Sequence, residues 1–417
     1  NVMAAVGPKM TYVLAMQTHK DGEQAIYILS KGTQKMLKGE FEVLGEMIGA
    51  DLAGATYTGI FDDLPAWIDA NKTWADKHGF EDDRIFEHCV IPWDEVGEDE
   101  GTGIVHIAPG CGPEDHQLGK LHSSPMVGPL DEEGNYLPNF GEFSGKFAHD
   151  VPEQVANALK KKGYFYKHDK YVHRYAHCWR CGSPLVYRLV GEWYISMDTL
   201  RHDMMRVSEQ INWIPAFGKE RELDWLKNMH DWMISKKRYW GLALPIWEYP
   251  DGTFEVIGSY EELKERAVEG WQEFDGHTPH RPWIDKVKIK DKNGQIGTRV
   301  PDVGNPWLDA GIVAYSTLRY RTDREYWEKW FPASFITESF PGQFRNWFYS
   351  LIAMSTVLEQ TQPTNAILGF ATLMDEHGKP MHKSSGNMIE FNEAAEKEGA
   401  DVMRWVYARQ RVDDNLN

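Results

Sequence analysis

Long apolar runs are missing from this sequence of 417 residues. A membrane-spanning helix needs about 20 consecutive apolar residues, and the best candidate, residues 347–358, is interrupted by serine and threonine. Cysteine is scarce as well, with four residues, which excludes a disulfide-stabilised scaffold and favours a reducing environment. We therefore expect a cytoplasmic protein with no membrane-spanning segment.

Basic residues are also in deficit, because 63 acidic residues outweigh 45 basic ones and give a net charge of −18. Taken over the whole chain, this balance argues against a nucleic-acid partner. Residues 160–181 are the exception, with seven lysines and arginines, six aromatic residues and a single acid, Asp169. Cations interleaved with aromatic rings suit a polynucleotide, although a solvated face beside an ordinary core would look the same.

Internal repeats of about 20 to 50 residues are absent, which excludes a solenoid. The first part of the chain is predicted to be rich in strands, with a hairpin over residues 11–30 and strands within 85–107. Its predicted helices are residues 40–49, 65–77 and 153–161. From residue 193 onward helical and short apolar stretches alternate, which is typical of an α/β fold.

Two turns inside the second part predict further hairpins, because Asp-Gly and Asn-Gly stand between extended runs at residues 249–253 and 290–294. We place a domain boundary at residue 163. The first domain is then 1–163 and the second 164–417, with a parallel sheet interrupted by a small hairpin-rich insertion at about 171–300.

Residues 380–387, which read PMHKSSGN, form a loop in which Lys383 is surrounded by small residues. Such a lysine can offset the charge that develops on a leaving pyrophosphate. Together with the stretches 231–241 and 343–348, the loop resembles the class I aminoacyl-tRNA synthetases, in which the corresponding element reads KMSKS. Pro380 and His382 stand where that pattern has lysine and serine.

Residues 101–109, GTGIVHIAP, and the following 112–115, GPED, resemble the editing-domain signature of the isoleucyl branch of that family. The resemblance implies an α/β fold, namely the C-terminal half of a Rossmann-type catalytic domain preceded by a β-rich editing domain. It also implies that ATP with Mg²⁺ activates isoleucine, that isoleucine is transferred to tRNA(Ile), and that mischarged valyl-tRNA(Ile) is hydrolysed. No obligate protein partner is implied.

The same resemblance assigns site residues. In the editing domain it points to Asp115, which would bind the α-ammonium of the attached amino acid, and to His106, which would bound the pocket. In the catalytic domain Lys383 would act on the triphosphate. The remaining positions are those of the isoleucine pocket, Gln343, Trp347, Trp240 and Glu338, and those of the ATP site, Met381, Ser384 and Gly369.

Cys178 and Cys181 have the spacing of a zinc knuckle, but a structural site needs four ligands. His173, His177 or another residue that is not cysteine would have to complete it, so Zn²⁺ stays an open question. The family's HIGH element is not in the sequence, so we expect an internal part of a longer enzyme that does not form isoleucyl-adenylate alone. A valyl or leucyl relative and a non-catalytic tRNA-binding paralogue remain the alternatives.

Overall fold

The computed structural model describes residues 1–19, 22–81, 84–170, 172–178, 181–237 and 241–416. Its chain divides into two units, Asn1–Val190 and Gly191–Asn417. The boundary predicted at residue 163 therefore lies inside the first unit. Among the described residues, no helix combines the length and the apolar character that crossing a bilayer requires.

Unit 1 is built mainly from short strands, with one long helix. Its strands are β1 (Met3–Val6), β2 (Thr11–Thr18), β3 (Gln24–Ser30), β4 (Glu42–Ile48), β5 (Thr56–Tyr57), β6 (His88–Pro92) and β7 (Ile104–Ile107). Its helices are α1 (Gly49–Leu52), α2 (Pro65–His78), α3 (Pro113–Leu121) and α4 (Pro152–Lys161).

Two sheets organise unit 1. The four-stranded sheet has the order β5-β6-β1-β7, with β1 parallel to β6 and antiparallel to β7. The three-stranded sheet has the order β3-β2-β4 and is antiparallel throughout. The largest apolar cluster of this unit lies under β1, where Met3 and Ala5 pack with Trp67 of α2. This core includes Ile107 at the end of β7, and the first candidate site lies at that strand end.

Unit 2 is richer in helices. Its strands are β8 (Tyr194–Ile195), β9 (Asn212–Ile214), β10 (Trp232–Met233), β11 (Ser235–Lys236), β12 (Ile246–Glu248), β13 (Phe254–Val256), β14 (Ala267–Glu269), β15 (Lys288–Lys290), β16 (Ile296–Arg299), β17 (Val303–Gly304), β18 (Ile336–Ser339) and β19 (Ala366–Phe370). Its helices are α5 (Arg201–Glu209), α6 (Phe217–Asn228), α7 (Tyr260–Arg266), α8 (Trp271–Phe274), α9 (Pro306–Gly311), α10 (Val313–Thr317), α11 (Arg324–Glu328), α12 (Phe340–Gln343), α13 (Trp347–Glu359), α14 (Phe391–Glu398) and α15 (Ala400–Arg409).

Two sheets of unit 2 differ in character. A parallel sheet has the order β18-β19-β9, and helices α5, α6, α12 and α13 contribute to the apolar core around it. A five-stranded antiparallel sheet, β13-β12-β16-β15-β14, lies between residues 246 and 299 and has its own core around Trp247. Both hairpins predicted in this stretch are present, as β12-β13 and β15-β16. A mixed α/β architecture is thus confirmed.

Most of the predicted elements agree with the structure, and one is wrong. The hairpin of β2 and β3, helix α2 and helix α4 lie where the sequence predicted them. Residues 40–49 were expected to be helical, but Glu42–Ile48 is strand β4. Its backbone pairs with β2, and Gly45 together with β-branched Val43 makes the segment a poor helix.

Candidate functional sites

The first candidate site lies at the end of β7 in unit 1. On this strand His106 is opposite Ala4 of β1. Val105 and Ile107 pack on the apolar cluster under the sheet. Because side chains alternate along a strand, His106 projects from the other face, where it is exposed. The packing of Val105 and Ile107 therefore determines the face of the sheet from which the side chain of His106 projects.

Asp115 is brought to this strand end by a short turn. The chain leaves β7 at Ile107 and enters α3 at Pro113, and Asp115 lies in the first helical turn. Its Oδ1 accepts a hydrogen bond of 2.6 Å from the amide of Ala108. An acidic residue in the first turn also interacts favourably with the helix dipole. The structure thus brings the two predicted editing residues, His106 and Asp115, to one strand end.

Gly110 makes the turn between β7 and α3 tight. A Cβ atom added there would lie 1.8 Å from the carbonyl oxygen of Val127, so only glycine fits without moving backbone. The amide of Cys111 donates to the carbonyl of Ala108 at 2.8 Å and closes the turn. The turn is thus closed by a backbone hydrogen bond and by the close approach of Gly110 to Val127.

Burial has the largest influence on the electrostatics of this site. Desolvation, and after it the N-terminal ammonium group, lower the pKa of His106, against the opposing influence of Asp115. Desolvation, with a smaller contribution from Asp115, raises the pKa of the Cys111 thiol. A carboxylate such as that of Asp115 is a natural hydrogen-bond partner for an ammonium group.

A second histidine–carboxylate pair in unit 1 was missed by the sequence analysis. His88 is buried, and its Nε2 lies 2.9 Å from Oδ1 of Asp62, while its Nδ1 lies 2.8 Å from the carbonyl oxygen of Val2. Its ring stacks on Trp67 with centroids 4.4 Å apart. Because both ring nitrogens are engaged, this pair joins β6 to its neighbours and has no nitrogen left for chemistry.

A cleft of about 450 Å³ lies elsewhere in unit 1. It is bounded by α2, α3 and residues 123–128, with Trp74 and Lys120 in its lining. Neither His106 nor Asp115 lines it. The cleft also contains Asp69 and His78 in its lining, but because it includes neither predicted editing residue, the strand end of β7 is the better candidate for the predicted editing site.

The predicted zinc pair, Cys178 and Cys181, does not find further ligands. Hydrogen bonds with Ser183, whose Oγ lies 3.0 Å from Sγ of Cys181, lower the pKa of Cys181 to about 7. Among the described residues, however, no group of three or more His, Cys, Asp and Glu side chains could hold a metal ion. His173 and His177 each direct Nδ1 to a backbone carbonyl. These donors do not fit a structural zinc ion.

The second candidate site lies at the carboxyl ends of β18 and β19 in unit 2. Ligands of open parallel sheets bind at this end of the strands. A cleft of about 610 Å³ opens there, with Ser339 and Phe370 at the strand ends and Met381 from the predicted lysine loop. Tyr407 and Arg411, which sequence reasoning missed, also line the cleft. Met381 is thus the predicted ATP-site residue that lines the cleft directly.

The side chain of Asn387 makes several hydrogen bonds that hold the lysine loop. Asn387 accepts from the amide of His382 at 2.9 Å and donates to Oδ2 of Asp375 at 2.8 Å. Its amide nitrogen also donates to the carbonyl of Pro380 at 3.2 Å. Lys383 begins the 3-10 turn Lys383–Ser385, which contains Ser384, and Lys383 is exposed. This latch keeps the predicted lysine at the surface, where a ligand can reach it.

Two predicted pocket residues meet at the start of α13. Oε1 of Gln343 accepts from the amide of Trp347 at 3.2 Å and thereby satisfies a free helix N–H group. The indole of Trp347 donates to the carbonyl of Ala310 at 3.2 Å and packs beside the unit 2 core. Both residues therefore have structural partners as well as the predicted binding role.

The other predicted residues of this site are placed differently. Glu338 lies on β18, and its Oε1 accepts from the amide of Ser339 at 2.7 Å. Gly369 lies beside the ring of Phe340, which an added Cβ would approach to 1.6 Å. This glycine is therefore explained by packing, and its predicted contact with ATP stays a prediction. Trp240 lies outside the described residues.

Comparison with known proteins identifies the family. The model of class I tRNA synthetases (I, L, M and V) matches residues 20–417. An isoleucine-tRNA ligase of Methanothermobacter thermautotrophicus is 35% identical over 97% of this chain and 37% of that protein. That of Methanopyrus kandleri is 35% identical over 99% of this chain and 39% of that protein. In that of Clostridium novyi the identity is again 35%, over 97% of this chain and 37% of that protein.

The chain thus spans less than two fifths of the length of these curated relatives. A solved LeuRS-tRNA-LeuAMS complex of Agrobacterium radiobacter K84 covers 99% of this chain and 46% of its own, with 15% identity and a TM-score of 0.34, too low to support an argument. The family match and the three relatives suffice: the chain belongs to the class I tRNA synthetases.

Proposed function

We propose that this chain is the editing domain and the second half of the catalytic domain of an isoleucine-tRNA ligase. The observation that supports this proposal most strongly is the 35% identity to isoleucine-tRNA ligases over 97% of the chain. We assign residues 1–163 to editing and 164–417 to the Rossmann-type catalytic half with its hairpin-rich insertion. The whole enzyme would activate isoleucine with ATP and Mg²⁺, transfer it to tRNA(Ile), and hydrolyse valyl-tRNA(Ile).

Editing follows from the charge at the end of β7. Asp115 would bind the α-ammonium of valine through a charge-assisted hydrogen bond, while Ala108 keeps the carboxylate oriented. His106, whose pKa is lowered mainly by desolvation, would limit the space for the side chain. One methylene gives the synthetic site only about 1–3 kcal/mol of discrimination, so a second site that excludes the larger isoleucine is needed. Water then attacks the ester carbonyl, and the tRNA hydroxyl leaves.

Activation would use the cleft at the ends of β18 and β19. There the isoleucine carboxylate attacks the α-phosphate of ATP, and pyrophosphate leaves. Lys383 would stabilise the charge on that leaving group, which is an electrostatic role that needs a mobile cation rather than a buried one. Mg²⁺ would enter with ATP as part of the substrate. Trp347 and Gln343 would bound the isoleucine pocket.

The editing assignment is tested by binding. The probe is adenosine carrying valine through a 3′-amide, which water does not cleave as it does the natural ester. Asp115→Asn retains an oxygen that can accept from Ala108 but loses the charge, so affinity should fall about tenfold or more. Glu114→Gln, at the neighbouring position of α3, is the matched control and should bind like the wild type. Equal affinity of Asp115→Asn and wild type would exclude the assignment.

The catalytic assignment is tested separately, with Mg²⁺–ATP and calorimetry. Lys383→Ala should weaken binding about fivefold or more, because a charge-assisted contact to phosphate is lost. Lys379→Ala, which removes another exposed lysine from the same loop, is the control. If both variants bind like the wild type, the altered loop with Pro380 and His382 instead supports the tRNA-binding paralogue that lacks catalysis.

A further inference from the structure

The cleft of about 450 Å³ in unit 1 is used by neither candidate site. We call it the α2–α3 cleft, because both helices line it together with residues 123–128. Its volume is within the range of about 300–1,000 Å³ that is usual for small-molecule sites. One wall is a single face of α2, since Ala66, Ala70, Thr73 and Lys77 follow one another at intervals of three or four residues. The side chains of this wall therefore have a fixed order along the helix.

An amide and a carboxylate lie at the end of this wall nearer to the start of α2. Nδ2 of Asn139 donates to Oδ2 of Asp69 at 2.9 Å, and both residues line the cleft. Oδ1 of Asn139 is enclosed by protein and has no hydrogen-bond donor among the described residues. Enclosed acceptors without a donor are rare in folded proteins and call for an explanation. An N–H group of a ligand would satisfy this one.

An indole ring lies about one turn further along α2. Trp74 lines the cleft and is half-buried, and its Nε1 donates to the carbonyl of Ser123 at 2.6 Å. Phe86 packs edge-on against the indole, with centroids 5.4 Å apart. Because these contacts restrain the indole, its accessible part is a rigid apolar surface against which a planar ring of a ligand can pack.

Two cations lie at the other end of the cleft. Lys77 is in the last turn of α2 and Lys120 is in the last turn of α3, and both are exposed and line the cleft. Within the described part of the chain, neither lysine has a carboxylate at ion-pair distance. Asp69 is about 12 Å from Lys77 along α2, since eight residues separate them and the rise is about 1.5 Å per residue. An elongated ligand can therefore place an N–H group at one end and an anion at the other.

We propose that the α2–α3 cleft binds a free nucleoside 5′-monophosphate whose base carries an exocyclic amino group. The amino group donates to Oδ1 of Asn139, the base packs against Trp74, and the phosphate contacts Lys77 and Lys120. These three parts follow one another in the nucleotide in the same order as their partners along α2. This site is separate from His106 and Asp115 and does not depend on the proposed function.

The charge of the phosphate distinguishes a free nucleotide from a nucleic acid. A terminal phosphate monoester carries about −1.5 to −2 charges at pH 7, because its second pKa is about 6. A phosphodiester within a polynucleotide carries one negative charge. Two lysines without carboxylate partners match the charge of the monoester better. Affinity should accordingly fall as the pH is lowered through about 6, where the phosphate loses its second charge.

The ligands themselves provide the first test, by calorimetry of the 417-residue chain. Adenosine 5′-monophosphate should bind about tenfold or more tighter than adenosine, which lacks the phosphate. It should bind about threefold tighter than its methyl ester, which has the single charge of a phosphodiester. Inosine 5′-monophosphate, with an oxygen where adenine has the amino group, should bind about fivefold more weakly than adenosine 5′-monophosphate.

Matched variants locate the site. Replacing Lys77 and Lys120 together by alanine should remove the preference for adenosine 5′-monophosphate over adenosine, while unchanged adenosine affinity shows that the variant is folded. Lys72→Ala, which removes an exposed lysine of α2 that does not line the cleft, is the control and should bind like the wild type. Asn139→Ala should remove the preference over inosine 5′-monophosphate. Trp74→Leu should weaken binding of the nucleotide and of adenosine alike, by about fivefold.

Absence of binding by the wild type would overturn the proposal, as would wild-type affinity of the double-lysine variant for adenosine 5′-monophosphate. Equal affinity for the nucleotide and its methyl ester would also overturn it, because the cleft would then accept a nucleic-acid chain. Photolabelling with 8-azidoadenosine 5′-monophosphate should modify residues within 66–78 or 123–128, and labelling confined to other parts of the chain would contradict the assignment. None of these outcomes changes the valyl-amide result at Asp115, so this site and the proposed function are judged separately.

Discussion

The two candidate sites differ in what holds them. In unit 1, Asp115 is fixed by a backbone amide at the end of a buried sheet, in a turn that only glycine permits at residue 110. In unit 2, Lys383 lies on a loop whose closure depends on the side chain of Asn387. The first arrangement suits a pocket that must measure the size of a side chain, and the second suits a loop that moves with its substrate.

An acidic residue of each unit also provides a contrast. Asp115 in unit 1 is half-buried and accepts a hydrogen bond from the backbone amide of Ala108. Glu222 of α6 is fully buried in the unit 2 core, and among the described residues neither of its carboxyl oxygens has a hydrogen-bond partner. Burial raises the pKa of Glu222 well above its ordinary value, which favours the neutral form of this carboxyl.

We expect the largest loss of stability from a substitution at Gly110 in unit 1. Gly110→Ala places a Cβ against the carbonyl of Val127, and should lower the free energy of unfolding of unit 1 by about 3 kcal/mol. Gly386→Ala is the comparison in unit 2, because no atom lies within 4 Å of its added Cβ and its φ is +70°. That change should cost only about 1 kcal/mol. Hydrogen exchange of peptides from each unit measures the change in unfolding free energy for both variants. Equal destabilisation by the two substitutions would contradict the difference in rigidity between the two sites.

The second prediction concerns the pH dependence of the unfolding free energy of unit 2, which Glu222 should determine. An acid whose pKa is raised by folding contributes stability that is complete below its unfolded pKa of about 4.3 and is lost as pH rises toward the folded pKa. Relative to Glu222→Gln, the wild-type unit 2 should therefore lose about 1.4 kcal/mol of unfolding free energy per pH unit from about pH 5 upward. Hydrogen exchange of α6 at pH 5, 6 and 7 gives this difference.

A parallel pH dependence of wild type and Glu222→Gln would show that the carboxyl is ionised or paired in solution. Tyr349, Arg201 and Asp231 must be kept unchanged in the comparison, because Tyr349 interacts electrostatically with Glu222 and also with Arg201 and Asp231. Asp224→Asn, on the same helix and not buried, is the control for a general charge effect.

We expect the smallest loss of stability from removing the hydrogen bonds of Asn387. Asn387→Ala removes hydrogen bonds to His382, Asp375 and Pro380, and because the loop is largely exposed the net loss is about 1 kcal/mol. The amide of His382 should exchange about fivefold faster, with α13 unaffected. Asn392→Ala, at an exposed position of α14, is the control. Unchanged exchange at His382 would mean that the loop is held by other groups.

Local signals explain which elements could be predicted. The turns at residues 249–253 and 290–294 predicted hairpins because their residues accept positive φ, and α2 begins with proline and ends at Gly79 in the left-handed conformation. Strand β4 was missed because its partner β2 lies far back in the sequence, and no local pattern specifies that pairing. Non-local pairing is the part of a fold that a single sequence describes least.

The same distinction applies to the sites. His106 and Asp115 lie within ten residues of one another in a contiguous motif, so the sequence predicted their neighbourhood and the structure brings them together. The hydrogen bond of Asn387 to Asp375 is a side-chain contact across the loop, and the packing of Gly369 on Phe340 joins strand β19 to helix α12. The contact of Gly369 with ATP, which the family resemblance implied, stays a prediction.

The central claim is that the end of β7 in unit 1 selects valine over isoleucine on the end of a tRNA. It is tested most directly by titrating the wild-type chain with the valyl and isoleucyl 3′-amides of adenosine, which differ by one methylene. The account predicts that the valyl compound binds about tenfold more tightly, and that His106→Ala reduces this preference by admitting isoleucine. Equal binding of the two compounds by the wild type, or tighter binding of the isoleucyl compound, would contradict it.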